Sequence, residues 1–309
     1  MKWAWLLSIA SLPASAATFL PQTEASILLQ RIADAPRHVS YEGVFVTQHG
    51  DRMQSLFVAN RPEGTASGSH LKALDGEKRE VLCDKSGATN IVFRDGQVST
   101  EKRLSARHFP DLLPLNAAAL ANWYSVRLGG MERVAGIDCQ LIELAPKDVF
   151  RWGYMLCIEK LSNMPIRAVM LNGQGQPLMQ SAFTSLKLGG APDLPATSLP
   201  PVPDGTRPVT ADSIEVRSLP PGYTRITAVR RHIPNYPAEV EHWVFSDGLT
   251  YISLFMEPAT HPVETVRGQS KHGMTNLLTR QVGNIQATVL GDAPWPAIEL
   301  LATNLEPRR

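Results

Sequence analysis

Two of the three cysteines are spaced so that they could form a disulfide bond. Cys139 and Cys157 lie in two strand-like runs that are joined by the turn-prone residues 146–148. If this hairpin is centred near Asp148, the cysteines are directly opposed, with Cα atoms about 4.5 to 5.5 Å apart, a distance that a disulfide can span. The residues therefore predict either a Cys139–Cys157 disulfide or two small buried hydrophobic side chains, with Cys83 left single.

The histidines and other reactive side chains do not form a recognisable catalytic or metal-binding motif. The eight histidines are scattered, and the nearest spacings are His232 with His242 and His261 with His272. There is no Gly-x-Ser-x-Gly nucleophile turn, no phosphate-binding Gly-x-x-x-x-Gly-Lys loop, no His-Glu-x-x-His pair and no paired-cysteine zinc spacing. Gly268 precedes Ser270 by two residues, as the first glycine of a nucleophile turn would, but the second glycine of that motif is missing. We therefore expect Ser270 to lie in a loop. The sequence predicts a protein that is not an enzyme and has no metal ion or cofactor.

The N-terminus has the three parts of a secretory signal peptide. Lys2 supplies the positive charge, residues 3–12 form an apolar stretch too short to span a bilayer, and residues 14–16 fit the small-residue cleavage site. We therefore expect an exported mature chain that begins at Ala17, in an oxidising compartment that permits disulfides. No cysteine follows the apolar stretch, and no later segment has about eighteen uninterrupted apolar residues, which predicts a soluble protein without a lipid anchor.

The acidic and basic side chains of the predicted mature chain are balanced. Without Lys2 the chain has 29 basic and 29 acidic residues, and no run of basic residues is longer than two. Proteins that neutralise nucleic-acid phosphates normally carry a basic surplus. The charge balance therefore argues against a nucleic-acid partner.

A proline-rich stretch divides the chain into two parts. Residues 189–208 contain six prolines and three glycines, a composition typical of a semi-extended linker. The parts before and after it are each long enough for a core of their own. The predicted organisation is a signal peptide at residues 1–17, a large domain at residues 18–188, a linker at residues 189–210 and a small domain at residues 211–306.

The large domain is predicted to be a sheet with two helices. The first helix runs from a cap at Thr23 to Pro36, and the second, rich in alanine, covers residues 116–123. Consecutive strands favour an antiparallel sheet. Several strands are apolar on both faces, which indicates either an ordinary packed core or a face that lines a cavity. The predicted strands are residues 41–47, 53–59, 80–83, 90–93, 124–128, 136–145, 151–159, 165–171 and 178–186.

The small domain is predicted to be an α+β module. Residues 242–246 and 249–256 flank Asp247-Gly248, a strong hairpin signal, and residues 274–281 and 285–290 form a second hairpin. A C-terminal helix starts near Asp292. The whole chain is therefore predicted to be α+β, with a large antiparallel sheet domain and a smaller domain of antiparallel sheet and one helix.

Several phrases, spread in order over both domains, resemble those of the MucB/RseB family of periplasmic sigma-E regulators. In the large domain these phrases are YEGVFV at residues 41–46, LDGEKREV at residues 74–81, RVAGIDC at residues 133–139 and RWGY at residues 151–154. In the small domain they are LPPGY at residues 219–223, SDGL at residues 246–249, FMEP at residues 255–258 and GQS at residues 268–270. The chain departs from the family at Cys157, where a tryptophan is expected.

The resemblance implies a fold, a location and a function. The large domain would be similar to the lipoprotein carriers LolA and LolB, a half-open antiparallel β-barrel partly closed by helices. The protein would lie in the periplasm, bind the periplasmic part of a membrane anti-sigma factor of the RseA/MucA kind, and shield it from the protease that makes the first regulatory cut. Lipopolysaccharide or lipoprotein acyl chains would release the anti-sigma factor from the protein. The resemblance does not decide whether the protein forms a homodimer.

We predict two sets of contact residues from residue type and strand position, since no family motif assigns these roles. The first set consists of apolar or aromatic residues of the large domain that would contact acyl chains: Phe45, Phe57, Tyr154 and Met155. The second consists of basic and aromatic residues of the small domain that would contact the partner: Arg230, Arg231, Trp243 and Tyr251.

Two other functions compete with this interpretation. A periplasmic lipoprotein or lipid carrier would use the same cavity to transport cargo, although a carrier does not require the second domain. An envelope hydrolase could assemble its site from distant residues, because many active sites have no local motif.

Overall fold

The structure is a computed structural model that describes residues 18–62, 67–84, 87–94, 97–102, 108–194, 206–209, 213–233, 238–259, 268–272 and 274–308. Over these residues the chain forms an eleven-stranded sheet, a seven-stranded sheet and a two-stranded sheet. All strand neighbours are antiparallel. The predicted α+β class, with a large open antiparallel sheet and a smaller helix-bearing domain, is confirmed. No helix within the described ranges is long and apolar enough to cross a membrane. The predicted signal peptide lies outside the described residues.

The large domain consists of one α-helix, a 3-10 helix and the eleven-stranded sheet. Within the described ranges the edge strands β6 and β7 do not pair with each other, so the sheet stays open. Its strand order is β6-β5-β4-β3-β2-β1-β11-β10-β9-β8-β7. The elements are α1 (Gln22–His38), β1 (Tyr41–His49), β2 (Arg52–Arg61), β3 (Gly68–Ala73), β4 (Arg79–Asp84), β5 (Gly87–Arg94), β6 (Gln97–Lys102), the 3-10 helix (Ala117–Asn122), β7 (Tyr124–Val134), β8 (Ile137–Pro146), β9 (Gly153–Glu159), β10 (Pro165–Leu171) and β11 (Pro177–Leu188).

Helix α1 packs its apolar stripe against one face of the large sheet, here called the inner face. Leu29 and Ile32 are fully buried in the same hydrophobic cluster as the sheet residues, as helical spacing of apolar residues predicts. The predicted ends of α1 are wrong: the helix begins at Gln22 without a side-chain cap and continues past Pro36 to His38. Pro36 is buried in the last turn of α1, and this end of the helix is held by two hydrogen bonds from Asn60 Nδ2 to the carbonyls of Pro36 and Val39, at 3.0 and 2.9 Å.

The second predicted helix is shorter and tighter than expected. It is a six-residue 3-10 helix, Ala117–Asn122, in which Trp123 N–H donates to the Leu120 carbonyl three residues earlier at 2.9 Å. A segment this short does not recover the cost of α-helix nucleation, so 3-10 hydrogen bonding is favoured despite the alanine content. Ala117, Leu120 and Ala121 are buried against α1 and the inner face.

Cys139 and Cys157 form a disulfide with a Cα–Cα distance of 5.4 Å. The predicted register of their hairpin is wrong, because Cys139 pairs with Glu159 and Cys157 pairs with Leu141, so the bond joins diagonal neighbours. The hairpin is centred one residue later than predicted. Asp148 stabilises this longer turn by accepting a hydrogen bond from the Phe150 N–H at 3.0 Å.

The small domain carries its helix on the seven-stranded sheet. The strand order in the sheet is β12-β14-β15-β16-β19-β18-β17, and β13 pairs separately with β20. Ala297, Ile298 and Leu301 of α2 are completely buried against this sheet. The elements are β12 (Thr206–Pro208), β13 (Ile214–Val216), β14 (Thr224–His232), β15 (Glu239–Ser246), β16 (Tyr251–Pro258), β17 (Gly268–His272), β18 (Thr275–Val282), β19 (Ile285–Gly291), α2 (Trp295–Thr303) and β20 (Leu305–Pro307).

Both predicted hairpins of the small domain are confirmed, and three other predictions are corrected. The C-terminal helix begins at Trp295 instead of near Asp292. Ser270 lies in strand β17 and not in a loop. The end of the predicted linker forms β12, which pairs with β14, because its backbone can satisfy its hydrogen bonds at the edge of the sheet. Linker residues 195–205 and 210 lie outside the described residues.

His242 of β15 is expected to make the stability of the small domain depend on pH. Its ring stacks on Phe255 at a centroid distance of 4.1 Å, and its Nε2 lies 3.0 Å from Ser253 Oγ. Burial, reinforced by the charge of Arg231, lowers the pKa of His242 to about 4. A depressed histidine pKa means that the folded state prefers the neutral ring. Stability is therefore complete above about pH 6.5 and falls as the pH drops toward 4, by about 2 kcal/mol at pH 5.

Urea unfolding at pH 7 and pH 5 measures this effect. His242→Gln keeps a polar side chain but does not titrate, so its loss of unfolding free energy between the two pH values should be smaller than that of the wild-type protein by about 2 kcal/mol. Equal losses in the two proteins would contradict the assignment to His242.

Candidate binding sites

The guanidinium group of Arg151 joins the two domains. The Arg151 side chain is 0% exposed; its Nε lies 2.9 Å from Asp148 Oδ1 in the large domain, and its Nη1 lies 3.4 Å from Asp247 Oδ2 in the small domain. Nη2 donates to the Pro221 carbonyl. The guanidinium carbon also lies 5.0 Å from the ring centroid of Trp123, a cation–π contact. One buried cation therefore connects segments of both domains.

Asp247, the acidic small-domain partner of Arg151, lies in the hairpin turn that joins β15 to β16. Asp247 Oδ1 accepts hydrogen bonds from the backbone N–H groups of Leu249 and Thr250, both at 2.9 Å. The Tyr223 hydroxyl donates to the Phe150 carbonyl at 3.1 Å and lies 2.6 Å from Thr250 Oγ1. Burial raises the pKa of Tyr223, so the hydroxyl stays neutral and keeps its proton for this bond. The turn thus presents the Asp247 carboxylate to the large domain, and its Thr250 holds the Tyr223 phenol beside it.

Two glycines of the small domain permit close approach to the large domain. Gly222 has φ +79°, and a Cβ at this position would lie 2.6 Å from the Trp123 ring. Gly248 has φ +102°, and a Cβ there would lie 2.9 Å from Pro114. Only glycine satisfies both the positive φ and the short distance. The surface that contains these glycines and the Arg151 contacts is called the domain junction below.

Apolar side chains and one further hydrogen bond extend the domain junction. Leu249 and Met274 of the small domain pack in the hydrophobic cluster of the large domain. Trp152 Nε1 donates to the Asp292 carbonyl at 2.8 Å. The domains are therefore packed against each other, and separating them would expose both apolar side chains and a buried ion pair.

The four predicted lipid-contact residues do not lie on one surface. Phe45 pairs with Leu56, which places Phe57 on the other side of β2, and Met155 alternates with Tyr154 along β9. Phe45 and Tyr154 lie on the inner face, where they are 3% and 7% exposed. Phe57 and Met155 are half-buried on the opposite face. The four residues therefore line two faces of the sheet, because adjacent strand residues point to opposite faces, and their contact with acyl chains stays a prediction.

The inner face is filled by side chains of the protein itself. Phe45, Phe109 and Phe183 form an aromatic cluster, in which the Phe45 ring centroid lies 5.0 Å from that of Phe109 and 5.9 Å from that of Phe183. Leu29 and Ile32 of α1 belong to the same buried cluster. A ligand that entered here would have to displace these side chains or move α1.

The four predicted partner-contact residues are also divided between surfaces. Trp243 is only 1% exposed and packs in the core of the small domain, and its contact with a partner stays a prediction. Arg230 is half-exposed on the same face, 3.5 Å from Glu241 Oε2. Arg231 and Tyr251 lie on the opposite face, as strand alternation and their pairing with Val240 and Ser246 require.

A cavity of about 520 Å³ opens at the edge of the small domain. Trp243 and Phe245 form its floor, and the guanidinium carbon of Arg225 lies 4.3 Å from the Trp243 ring centroid. This volume lies within the range of small-ligand and peptide side-chain sites. The lining residues are Ile214, Glu215, Val216, Leu219, Arg225, Trp243, Phe245 and Arg308.

Two family models together match almost all of the chain that follows the predicted signal peptide. The model of the MucB/RseB N-terminal domain matches residues 24–203, and that of the MucB/RseB C-terminal domain matches residues 209–306. The chain belongs to the MucB/RseB family. The sigma factor AlgU regulatory protein MucB of Pseudomonas aeruginosa is 30% identical, over 98% of this chain and 96% of MucB. The sigma-E factor regulatory protein RseB of Escherichia coli K12 is 25% identical, over 90% of this chain and 89% of RseB.

Solved structures of MucB are similar to this chain over more than nine tenths of its length. A crystal structure of MucB in complex with MucA(peri) has a TM-score of 0.72 and 28% identity, and covers 92% of this chain and 99% of that one. The complex structure of Pseudomonas aeruginosa MucA/MucB has a TM-score of 0.73 and 27% identity, and covers 93% of this chain and 99% of that one. Both domains, in this order, are therefore shared with MucB.

Three of the family-like phrases meet at the domain junction. The RWGY phrase supplies Arg151, the LPPGY phrase supplies the Pro221 carbonyl and Tyr223, and the SDGL phrase supplies Asp247. Each phrase is visible in the sequence, but its contacts with the other two phrases are not. The combination of a glycine with a charged or aromatic residue in each phrase was the available signal for a tight polar contact.

Proposed function

We propose that this protein is a periplasmic negative regulator of envelope-stress sigma-factor signalling. It binds the periplasmic region of a membrane anti-sigma factor and protects that region from site-1 proteolysis. Lipopolysaccharide or lipoprotein acyl chains release the anti-sigma factor. An N-terminal signal peptide, cleaved before Ala17, exports the chain.

The observation that carries this proposal is the similarity to MucB along both domains. MucB is named a regulator of the sigma factor AlgU, and two similar structures are complexes of MucB with MucA. A relative that shared only the large domain would support a carrier equally well. The second domain, and the polar contacts that attach it to the first, favour a regulator that grips a partner.

The packed inner face sets a physical condition for release by lipid. A lipid shifts the equilibrium only if it binds the released form more tightly than the form bound to the anti-sigma factor. Acyl chains that replaced the packing of α1 on the inner face would meet this condition, since they would require a conformation in which the helix has moved. The conformation in which α1 is packed on the inner face would then be the form that holds the anti-sigma factor.

A protease-protection assay tests the function. The mature protein is mixed with the periplasmic segment of the MucA-like anti-sigma factor from the same organism and with the site-1 protease, and cleavage is followed with and without lipopolysaccharide. We expect cleavage to slow by at least about tenfold when the segment is saturated, and to recover when lipopolysaccharide is added. Cleavage that the protein does not slow would exclude the regulator.

The same proteins separate the regulator from the competing lipid carrier. A carrier would take up lipid stoichiometrically but would not retain the anti-sigma segment in a pull-down. A regulator retains the segment, and the retained fraction decreases as lipid is added. Protection that lipopolysaccharide does not relieve would leave anti-sigma binding in place but would exclude the lipid switch.

A further inference from the structure

The Cys139–Cys157 disulfide lies in the hairpin whose turn contacts the small domain. Strands β8 and β9 are joined by residues 147–152, and the bond links the two strands on either side of this turn. From the turn, Arg151 reaches the small domain through its guanidinium group, and Trp152 donates a hydrogen bond to a small-domain carbonyl. The disulfide therefore closes a covalent loop around a segment that holds the two domains together.

The same turn also fixes the position of Trp123. The Lys147 N–H donates to the Trp123 carbonyl at 2.9 Å, and Lys147 Nζ donates to the Ala121 carbonyl at 2.9 Å. Trp123 packs against the Arg151 guanidinium group and closely approaches Gly222 of the small domain. A change in how β8 pairs with β9 would therefore displace both Arg151 and Trp123, together with the junction contacts that these side chains make.

An ion pair covers the disulfide. Glu132 of β7 pairs directly with Cys139, and Arg167 of β10 pairs directly with Cys157. Directly paired residues share a face of a sheet, so both charged side chains project on the face that carries the disulfide. Their carboxylate and guanidinium groups meet at 2.5 Å across β8 and β9, and both cysteines are 0% exposed. A thiol in solution therefore cannot reach either sulfur while the sheet and this ion pair are closed.

We propose that the Cys139–Cys157 disulfide makes the binding of the anti-sigma factor depend on oxidation of this chain while it folds. The two thiols give two electrons and two protons to a disulfide oxidant, a thiol–disulfide oxidoreductase of the exported compartment, whose own disulfide becomes a dithiol. The Glu132–Arg167 pair then closes over the new bond and shields it from thiols. The oxidation state is thus set during folding and kept afterwards.

A chain that folds without the bond would hold the anti-sigma factor less tightly. Its hairpin would lose the cross-link that limits the conformations of β8, β9 and the turn between them. More frequent opening of the turn would weaken the contacts of Arg151 and Trp152 with the small domain, and the proposed regulator grips its partner with both domains. This inference rests on the proposed function, because the anti-sigma factor is the partner named.

Reduction of the folded, oxidised mature protein tests the shield. The protein is incubated with dithiothreitol, and the free thiols are alkylated and counted by mass spectrometry. Glu132→Ala is expected to lose the bond at least about tenfold faster than the wild-type protein. Glu42→Ala is the matched control, because Glu42 also pairs with a cation, Lys187, and its side chain is 36% exposed, like that of Glu132. The control should be reduced at the wild-type rate, and equal rates for all three proteins would mean that the ion pair does not shield the bond.

The variant Cys139→Ala/Cys157→Ala tests the link to the domain junction, with Cys83→Ala as the control that keeps the bond. Thermal melts establish whether the variants are folded. Without the bond, the turn amides of Phe150 and Thr250 should exchange with solvent at least about tenfold faster, and their acceleration should exceed that of the β18–β19 amides. The fluorescently labelled anti-sigma segment should bind about tenfold more weakly.

Wild-type protein that is refolded in dithiothreitol separates the bond from the volume of its side chains. It keeps both sulfurs but lacks the bond, so it should match the double variant in amide exchange and in affinity. If proteins with and without the bond exchange their junction amides alike and bind the segment alike, the redox proposal is wrong and the regulator stands. If the oxidised wild-type protein does not bind the segment, both proposals fail. Equal acceleration in the junction and in β18–β19, or failure of both bond-free forms to fold, would show that the bond stabilises the whole chain and would overturn its link to the junction.

Discussion

Replacing Arg151 with methionine is expected to destabilise the protein by about 3–5 kcal/mol. Methionine fills much of the same volume, but Asp247, whose side chain is 0% exposed, would lose its cationic partner. The Pro221 carbonyl would also lose its donor. Removing one member of a buried ion pair costs more than the pair contributes, because the remaining charge stays buried without compensation. Urea unfolding followed by tryptophan fluorescence measures the change.

Arg167→Met is the matched control for this substitution. Arg167 also pairs with a carboxylate, at 2.5 Å from Glu132, but the two side chains are 30% and 36% exposed. Water screens such a pair, so its loss should change the unfolding free energy by only about 0–1 kcal/mol. Similar small effects at both positions would show that Arg151 does not anchor the domain junction.

The double variant Arg151→Met/Asp247→Asn distinguishes a lost ion pair from lost packing. If Arg151→Met destabilises the protein because it leaves the Asp247 carboxylate unpaired, neutralising Asp247 should restore part of the lost unfolding free energy. Asparagine keeps an oxygen that can accept the bonds from the turn amides of Leu249 and Thr250. A purely additive loss would mean that the two side chains do not act as a pair.

Local signals predicted the hairpins well. The Asp247-Gly248 and Gly283-Asn284 turns are confirmed between β15 and β16 and between β18 and β19, because the turn residues and the apolar alternation lie within a few residues of each other. Strand β14 was missed. Its residues are mostly exposed or half-buried, so the alternation that marks a strand is absent from its sequence.

Contacts between distant segments could not be predicted from the sequence. Phe45 and Phe57 both belong to apolar runs, but whether their side chains lie on the same face of the sheet depends on the register of β1 with β2. A shift of that register by one residue moves a side chain to the other face. The same limit explains the cysteines: the disulfide was one of two alternatives that the residues left open, and the register that the Asp148 turn imposes was not predicted. The domain junction was missed because loop residues carry no periodic pattern that reports their neighbours.

Substitution of Phe45, which is buried on the packed inner face, is expected to reduce stability as much as substitution of Arg151. Phe45→Ala should destabilise the protein by about 3–5 kcal/mol, because its ring is 3% exposed and packs against the rings of Phe109 and Phe183, and its removal leaves a cavity. Phe57→Ala removes an identical side chain from the opposite, half-buried face and should cost only about 1–2 kcal/mol. Urea unfolding of both variants at one pH measures the difference.

The same pair of variants decides which face accepts acyl chains. A lysophospholipid below its critical micelle concentration stabilises whichever form binds it, and an acyl chain that enters beside α1 could fill the space left by Phe45→Ala. We therefore expect the lipid to raise the melting temperature of Phe45→Ala more than that of Phe57→Ala. A larger increase in melting temperature for Phe57→Ala would place the lipid on the face of Phe57 and Met155. A lipid on that face would not have to move α1, so it could not release the anti-sigma factor by displacing the helix.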